Sequence, residues 1–211
     1  MCTTYADAYV VHARRRGVQP FVYVVRMPTS PGDTRHAILE AADEIGAERG
    51  WKAATMREIA KRAGCSPMAA YRHFPSREAL LGELAEQYFA RLAERMGRAT
   101  ARARPGRATA AAVRAYVGFA LEEPAAYALL YGASPEQPAP GEPRAGGWAV
   151  GAAVAAAMTR DTGHECTASS DEVLMLWAGV HGLLNLSAGP QLPLGRRALL
   201  RLTDQMVSRA I

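Results

Sequence analysis

The chain has 211 residues, 49% hydrophobic but only 7% aromatic, and its many alanines and other good helix formers predict an all-α protein of one or two domains. Its formal net charge of +5 favours polyanionic partners, whose counterions are released when basic side chains replace them. The widely spaced Cys2, Cys65 and Cys166 exclude a disulfide framework and fit a reducing cytoplasm, and no apolar run reaches the roughly 18 residues of a membrane span.

Residues 1–30 differ in composition from the rest of the chain. The triplet Arg14, Arg15 and Arg16 is followed by a β-prone run at 21–25, and Met27 begins a segment that looks like a natural start. We therefore expect residues 1–30 to be a disordered or mis-assigned extension. The alternative is a basic arm in which the arginines reach a DNA minor groove.

The first predicted helix runs from about residue 31 to residue 49. Gly50 ends it, and Trp51 is placed to fold back on its last turn. Its buried stripe has the spacing of a helix face and comprises Ile38, Ala41, Ala42 and Ile45.

Two short helices are predicted at about 55–62 and 66–73. Thr55 and Glu58 form a capping box at the start of the first helix, and Gly64 ends it. Ser66 caps the second helix, and Pro67 occupies a first turn that needs no amide donor. The intervening turn of about three residues predicts a helix-turn-helix of the DNA-binding kind.

The second of these helices carries an unusual polar cluster, formed by Tyr71, Arg72 and His73. A hydroxyl, a guanidinium and an imidazole suit phosphate oxygens and base edges. Phe74 is expected to pack in the core, whereas for Tyr71 both core packing and DNA contact remain open.

A long fourth helix is predicted from about residue 76 to residue 98, so that no flexible linker separates the two halves of the chain. Further helices are predicted after a break at Pro105 and Gly106. They give about nine in all, at roughly 113–120, 124–131, 148–158, 171–187 and 195–209, with a proline-rich loop at 133–143. The helix at 171–187 is apolar nearly all round, which predicts burial against its own domain on one side and a partner subunit on the other.

The run from Arg35 to Leu84 resembles the DNA-binding domain of the TetR family of bacterial transcriptional regulators. The resemblance implies a helix-turn-helix domain at 31–80 and a ligand-sensing and dimerisation domain at 81–211. It also implies a homodimer on palindromic double-stranded DNA. Trp177, His181 and Gly182 resemble the signature of a W-H-G subclass of the C-terminal domain. The matching residues are Ile38, Ala41, Ala42, Gly50, Thr55, Ile59, Ala60, Ala63, Gly64, Ser66, Tyr71, His73, Phe74, Glu78 and Leu80.

The resemblance also implies which residues lie at the DNA. Arg72 is expected to read a guanine or grip a phosphate. The apolar contacts to thymine methyl groups are assigned to Pro67, Met68 and Ala69. Phosphate binding is assigned to Thr55, Tyr71, His73 and Arg77, and Ser66 is expected to lie at or near the DNA.

The larger domain is expected to hold a largely apolar effector, whose binding releases a repressor from its operator. His181 and Asn185 are singled out because polar groups on a buried helix need partners. The candidate pocket residues are Tyr116, Phe119, Tyr127, Tyr131, Met158, Met175, Trp177, His181 and Asn185.

Two other functions remain as alternatives. One is a DNA-binding protein with no effector. The other is an enzyme built on His164, Glu165 and Cys166, which is disfavoured because these residues lie in a predicted loop and no catalytic motif accompanies them. The same segment with Asp161 could suggest a metal site, but no second ligand pair is nearby in sequence, so we predict no metal, no cofactor and no catalysis.

Overall fold

A computed structural model describes residues 9–10, 24–25, 31–132, 145–189 and 192–211. Within these ranges the protein has nine α-helices and one short 3-10 helix, which confirms the all-α prediction. Tyr9–Val10 (β1) and Val24–Val25 (β2) form a two-residue antiparallel pair, and β2 falls in the run predicted to be β-prone. The rest of the predicted N-terminal extension and the loop predicted at 133–143 lie outside the described residues.

The chain divides into two compact units, Met1–Leu81 and Gly82–Ile211. The helices of the first unit begin and end within about two residues of their predicted bounds. They are α1 (Pro31–Arg49), α2 (Met56–Arg62) and α3 (Pro67–His73), with the 3-10 turn Trp51–Ala53 between α1 and α2.

The core of the first unit is formed by the predicted stripe of α1. All four residues of that stripe are at most 3% exposed, and Phe74 at the end of α3 is 2% exposed, as expected for a core residue. The guanidinium of Arg35 lies over the Phe74 ring, 4.9 Å from its centroid. Gly50 follows the last residue of α1 with a φ of 78° and a ψ of 158°, a positive-φ conformation that favours glycine.

Trp51 folds back on α1, as predicted, and Gly46 leaves the space that its ring fills. A Cβ atom on Gly46 would lie 2.3–2.6 Å from three ring carbons of Trp51. Gly46→Ala is therefore expected to lower the free energy of unfolding by roughly 1–2 kcal/mol, because overpacking outweighs the gain in helix propensity. Urea denaturation measures the change.

Gly97 supplies the matched control for this substitution. It is also a helical glycine, but a Cβ atom there would meet nothing within 4 Å. Gly97→Ala should therefore raise stability by about 0.5–1 kcal/mol. Equal effects of the two substitutions would contradict the packing of Trp51 on Gly46.

The longest helix, α4 (Arg77–Arg102), runs without a break from the first unit into the second and extends four residues beyond its predicted end. Its predicted apolar stripe is buried throughout, at Leu80, Leu81, Leu84, Tyr88, Leu92 and Met96. The second unit then consists of α5 (Ala108–Glu122), α6 (Pro124–Tyr131), α7 (Ala145–Thr162), α8 (Asp171–Ala188) and α9 (Arg196–Ala210).

The C-terminal end of α7 holds the junction between α4 and α5. Arg160 donates hydrogen bonds to the carbonyl oxygens of Thr100 and Ala103 at the end of α4. Asp161 accepts from the backbone N–H groups of Ala108 (3.0 Å) and Thr109 (2.8 Å) at the start of α5. Each side chain therefore lies against the helix end whose partial charge it complements.

These hydrogen bonds also set the charge state of Asp161. Burial alone would raise the pKa of its carboxyl group, but the N–H groups of Thr109 and Ala108 outweigh burial and hold the pKa below its ordinary value.

Among the described residues, no helix is both long and apolar enough to cross a membrane.

Candidate nucleic-acid interface and ligand cavity

The helix-turn-helix has its predicted hydroxyl caps, but only half of the predicted capping box forms. The N–H of Thr55 bonds to the carbonyl oxygen of Ala53 at 2.9 Å, and the Glu58 carboxylate pairs with Arg49 at 3.4 Å instead of reaching back to Thr55. The hydroxyl of Thr55 accepts a hydrogen bond from the N–H of Glu58 at 3.3 Å, and that of Ser66 accepts from the N–H of Ala69 at 3.1 Å. Gly64 ends α2 with a φ of 69°. The caps satisfy amide donors at both helix starts, so the short helices keep a fixed relative orientation within this unit.

One face of α3 is open to solvent. Met68 is 71% exposed and Tyr71 is 49% exposed, and Pro67 and Arg72 on the same face are also exposed. Ala70 on the opposite side is fully buried. The side chain of Tyr71 therefore does not pack in the core, and the helix presents apolar, hydroxyl and guanidinium groups together.

Four other residues predicted to contact DNA lie at the helix caps or on α3 itself. Thr55 and Ser66 are exposed at their caps, whereas Ala69 and His73 are half-buried.

Arg77 differs from the other predicted DNA contacts, because its guanidinium is already engaged by the protein. Its Nε donates to the carbonyl oxygen of Ala54 at 2.8 Å, and its Nη2 donates to that of Trp51 at 2.5 Å. These bonds fix the turn that leads into Thr55. The structure thus gives Arg77 a positioning role that its place in the sequence did not indicate.

The second unit contains a small cavity between α4, α5, α7 and α8. Its volume is about 10 Å³, close to the minimum that a single water molecule requires. Tyr116 and Trp177 line it as predicted, and Tyr116 is only 2% exposed. The remaining lining residues are all apolar and comprise Met96, Val113, Val154, Leu176 and Val180.

A chain of hydrogen bonds runs from Tyr116 to the edge of α8. The hydroxyl of Tyr127 lies 2.7 Å from Nδ1 of His181 and 3.5 Å from the hydroxyl of Tyr116. Nδ2 of Asn185 lies 2.7 Å from Nε2 of His181. As the Asn185 amide is oriented here, it donates to Nε2, so the ring proton of neutral His181 lies on Nδ1 and is donated to Tyr127.

Two further polar groups beside this chain have no hydrogen-bond partner among the described residues. They are the Tyr131 hydroxyl and Nε1 of Trp177, and both atoms are buried. Burial raises the pKa of Tyr131, opposed by the nearby Tyr116 and Trp177, and burial raises the pKa of Tyr127 to about 12. Neutral hydroxyl groups therefore surround the His181 ring.

Seven of the nine residues predicted to form the pocket do not line this cavity, namely Phe119, Tyr127, Tyr131, Met158, Met175, His181 and Asn185. Phe119 and Met158 are at most 1% exposed and belong to the solid core, since long apolar side chains at helical spacing pack there by default. Met175 is 69% exposed, because it lies on the face of α8 opposite the buried residues Val173 and Val180. The missed lining residues are aliphatic, and no signal in the sequence separates them from other core positions.

His181 should make stability depend on pH. Burial lowers its pKa from the ordinary value of 6.5, so the unfolded chain binds a proton more readily than the folded chain. The free energy of unfolding is therefore expected to fall as the pH drops from 7 through 6.5 towards 5. Urea denaturation of the wild type and of His181→Gln at pH 7 and pH 5.5 measures the effect, and equal losses in both would contradict it.

Comparisons with known proteins agree with this architecture. A family model described as bacterial regulatory proteins of the tetR family matches residues 38–84, which cover the helix-turn-helix. A second model, described as a tetracyclin repressor-like C-terminal domain, matches residues 109–210. Together the two matches cover well over half of the chain.

Individual relatives match over shorter or more divergent stretches. The transcriptional regulator UidR of Escherichia coli K12 is 46% identical over 55 residues, which are 26% of this chain and only 28% of UidR. A Rhodococcus sp. RHA1 protein of unknown function has a similar structure, with a TM-score of 0.67 and 29% identity over 83% of this chain and 94% of that one.

The Thermus thermophilus repressor FadR, solved in complex with lauroyl-CoA, shares the fold. Its TM-score is 0.60 at 22% identity, over 83% of this chain and 92% of FadR. The two matched family models and the arrangement of the nine described helices agree with each other. This chain therefore belongs to the TetR family of bacterial regulatory proteins.

Proposed function

We propose that this protein is a cytoplasmic, homodimeric repressor that binds a palindromic operator and is released from it by a small molecule. The observation that carries the proposal is the open face of α3, where Met68, Tyr71 and Arg72 stand exposed on a capped helix-turn-helix. Packing in a core does not require an exposed thioether, phenol and guanidinium on one helix face, whereas a DNA groove offers a partner for each of these groups.

The proposed contacts divide between bases and phosphates. Arg72 reads a guanine, while Pro67, Met68 and Ala69 contact thymine methyl groups. Tyr71 and His73 bind phosphate oxygens and set the register of the helix in the groove. The hydroxyls of Thr55 and Ser66 already cap helices, so we propose that they approach the DNA at these helix starts. Arg77 acts mainly by holding the turn before α2 in place.

The homodimer is supported by an apolar surface on α7 and α8. On α8, Leu174 is 42% exposed, Met175 is 69% exposed and Leu186 is 51% exposed, all on one face. Trp148 on the neighbouring α7 is 47% exposed and is followed at helical spacing by exposed alanines. Large apolar side chains exposed together in this way favour an interface, and a second copy provides a matching surface across a two-fold axis.

The α7–α8 pair of one subunit and that of its partner would together form a four-helix contact. In the dimer, the two copies of α3 would enter successive major grooves about one helical turn apart, or a small multiple of that distance. The symmetry of the protein thereby predicts a palindromic site.

The effector is proposed to bind at the cavity beneath Tyr116 and Trp177. Since the present cavity has room for no more than a water molecule, an effector must bind a state in which the helices around it have moved apart. A ligand that prefers this expanded state lowers the population of the DNA-binding state. The apolar lining favours a largely apolar ligand. The hydroxyl, imidazole and indole groups beside the cavity favour a ligand that also carries a few hydrogen-bonding groups.

We also propose that the C-terminal unit belongs to the W-H-G subclass, since Trp177, His181 and Gly182 resemble its signature. The principal alternative is a DNA-binding protein without an effector. It predicts that no small molecule changes DNA affinity and that the cavity never opens.

The test is a selection of bound duplexes from a random library and from the DNA upstream of the gene, using the purified full-length protein. We expect a palindromic site, bound by a dimer, with affinity that falls as salt rises. Sequence-blind binding would overturn the repressor function. Screening small molecules for release of the selected site then separates the effector-dependent function from the alternative.

A further inference from the structure

The loop between α7 and α8 brings together three potential metal ligands that the proposed function does not use. The loop leaves α7 at Gly163, whose φ is 77° and whose N–H bonds to the carbonyl oxygen of Thr159. The N–H of Cys166 bonds to the hydroxyl of Thr159 at 2.9 Å, and the N–H of Thr167 bonds to the hydroxyl of Ser170 at 2.9 Å. The loop is thus fixed by hydrogen bonds on both sides of the cysteine.

The three ligand atoms are Nε2 of His164, Sγ of Cys166 and Oε1 of Glu172. Sγ lies 3.5 Å from the nitrogen and 3.6 Å from the oxygen, and the nitrogen lies 3.7 Å from the oxygen. Bond lengths typical of zinc in a tetrahedral site require about 3.6 Å for both sulfur contacts and about 3.4 Å between nitrogen and oxygen. Shifts of about 0.3 Å or less would therefore complete the geometry.

The chemistry of the three groups selects the metal. Thiolate, imidazole and carboxylate together suit zinc and similar divalent transition metals, whereas magnesium and calcium prefer oxygen ligands alone. Cys166 is 8% exposed and holds its sulfur at the base of the cluster. His164 has a side chain that is 63% exposed, so the fourth position faces solvent.

Two neighbouring carboxylates considered from the sequence do not belong to the cluster. Asp161 uses both of its oxygens to cap α5, and Glu165 is exposed. Glu172 takes their place from the first turn of α8, six residues beyond the cysteine.

We propose that His164, Cys166 and Glu172 bind one zinc ion or a similar divalent transition metal, with solvent as the fourth ligand. The metal ion would take the place of the thiol proton in the contact between Sγ of Cys166 and Glu172. The competing explanation is a hydrogen-bonded cluster that only caps the start of α8. It predicts the same contacts without metal binding.

The test is titration of untagged full-length protein with zinc in competition with a chromophoric chelator, followed by cobalt as a spectroscopic probe. We expect one high-affinity zinc per chain, a thiolate-to-cobalt charge-transfer band, and a zinc-dependent rise in Tm. Cys166→Ser and Glu172→Gln should each weaken binding by at least about tenfold, with loss of the cobalt band in Cys166→Ser.

Matched controls distinguish this site from adventitious binding. Cys65→Ser removes the other described free cysteine, and Glu165→Gln removes an adjacent exposed carboxylate. Both should bind zinc like the wild type. His164→Ala changes an exposed side chain and so keeps the fold even if Cys166→Ser does not. Absence of stoichiometric binding, or binding that depends on Cys65 and not on Cys166 and His164, overturns the proposal.

Discussion

Arg72→Ala is expected to abolish base discrimination at one position in each half of the operator. A bidentate arginine contact to guanine is worth about 1–3 kcal/mol, and a dimer loses two of them, so affinity should fall roughly 30-fold to more than 10,000-fold. Arg72 is exposed on the same face of α3 as Tyr71. Its removal should therefore leave the core and the Tm unchanged.

Affinity measured on the selected operator and on operators with single-base changes tests this result. Arg98→Ala is the control for loss of charge, since Arg98 is exposed on α4 and its ion pair joins it to Glu94. If Arg72 grips a phosphate instead, Arg72→Ala weakens all sequences equally and reduces the salt slope by about two per dimer. Unchanged affinity would exclude both roles.

Met175→Glu is expected to convert the dimer into monomers and thereby to remove operator binding. The substitution places an unpaired carboxylate on the apolar face of α8, and each dimer would bury two of them. An uncompensated buried charge costs about 3–5 kcal/mol, which corresponds to at least about a 100-fold increase in the dimer dissociation constant. Because Met175 is 69% exposed within one chain, the monomer should remain folded.

Light scattering after size-exclusion chromatography measures the oligomeric state, and circular dichroism checks the fold. Leu121→Glu is the matched control, since Leu121 is an apolar residue of α5 that is 37% exposed and lies outside the α7–α8 face. It should leave the dimer intact. A dimer that survives both Met175→Glu and Leu186→Glu would place the interface elsewhere.

The helices of the first unit could be predicted closely because their ends are marked by local chemistry, whereas α5 and α7 extend three to five residues beyond several of their predicted ends. Thr55 and Ser66 cap their helices as expected, and Gly50 and Gly64 take the positive φ angles that helix ends require. Such signals act within a few residues. They need no knowledge of which helices meet.

The sites were less predictable because they depend on contacts between distant segments. On α8, the adjacent residues Met175 and Leu176 are 69% and 3% exposed, and a helix that is apolar nearly all round does not reveal which face is buried. For Arg77, the sequence indicates the positive charge but not the carbonyl oxygens of Ala54 and Trp51 that it binds. Glu172 lies close to His164 and Cys166 because the chain turns between α7 and α8, and the sequence does not indicate this turn.

The unpartnered Tyr131 hydroxyl and Trp177 indole bear on which effectors the protein would accept. A buried polar group without a hydrogen bond costs about 1–3 kcal/mol, and this penalty falls on Trp177, which lines the cavity, and on Tyr131, whose ring lies beside that of the lining residue Tyr116. A ligand that bonds to one of these groups would be favoured about fivefold to 150-fold over a hydrocarbon of the same shape. The proposed effector would then be selected over plain alkyl compounds, because its polar group would satisfy a buried group that otherwise has no hydrogen bond.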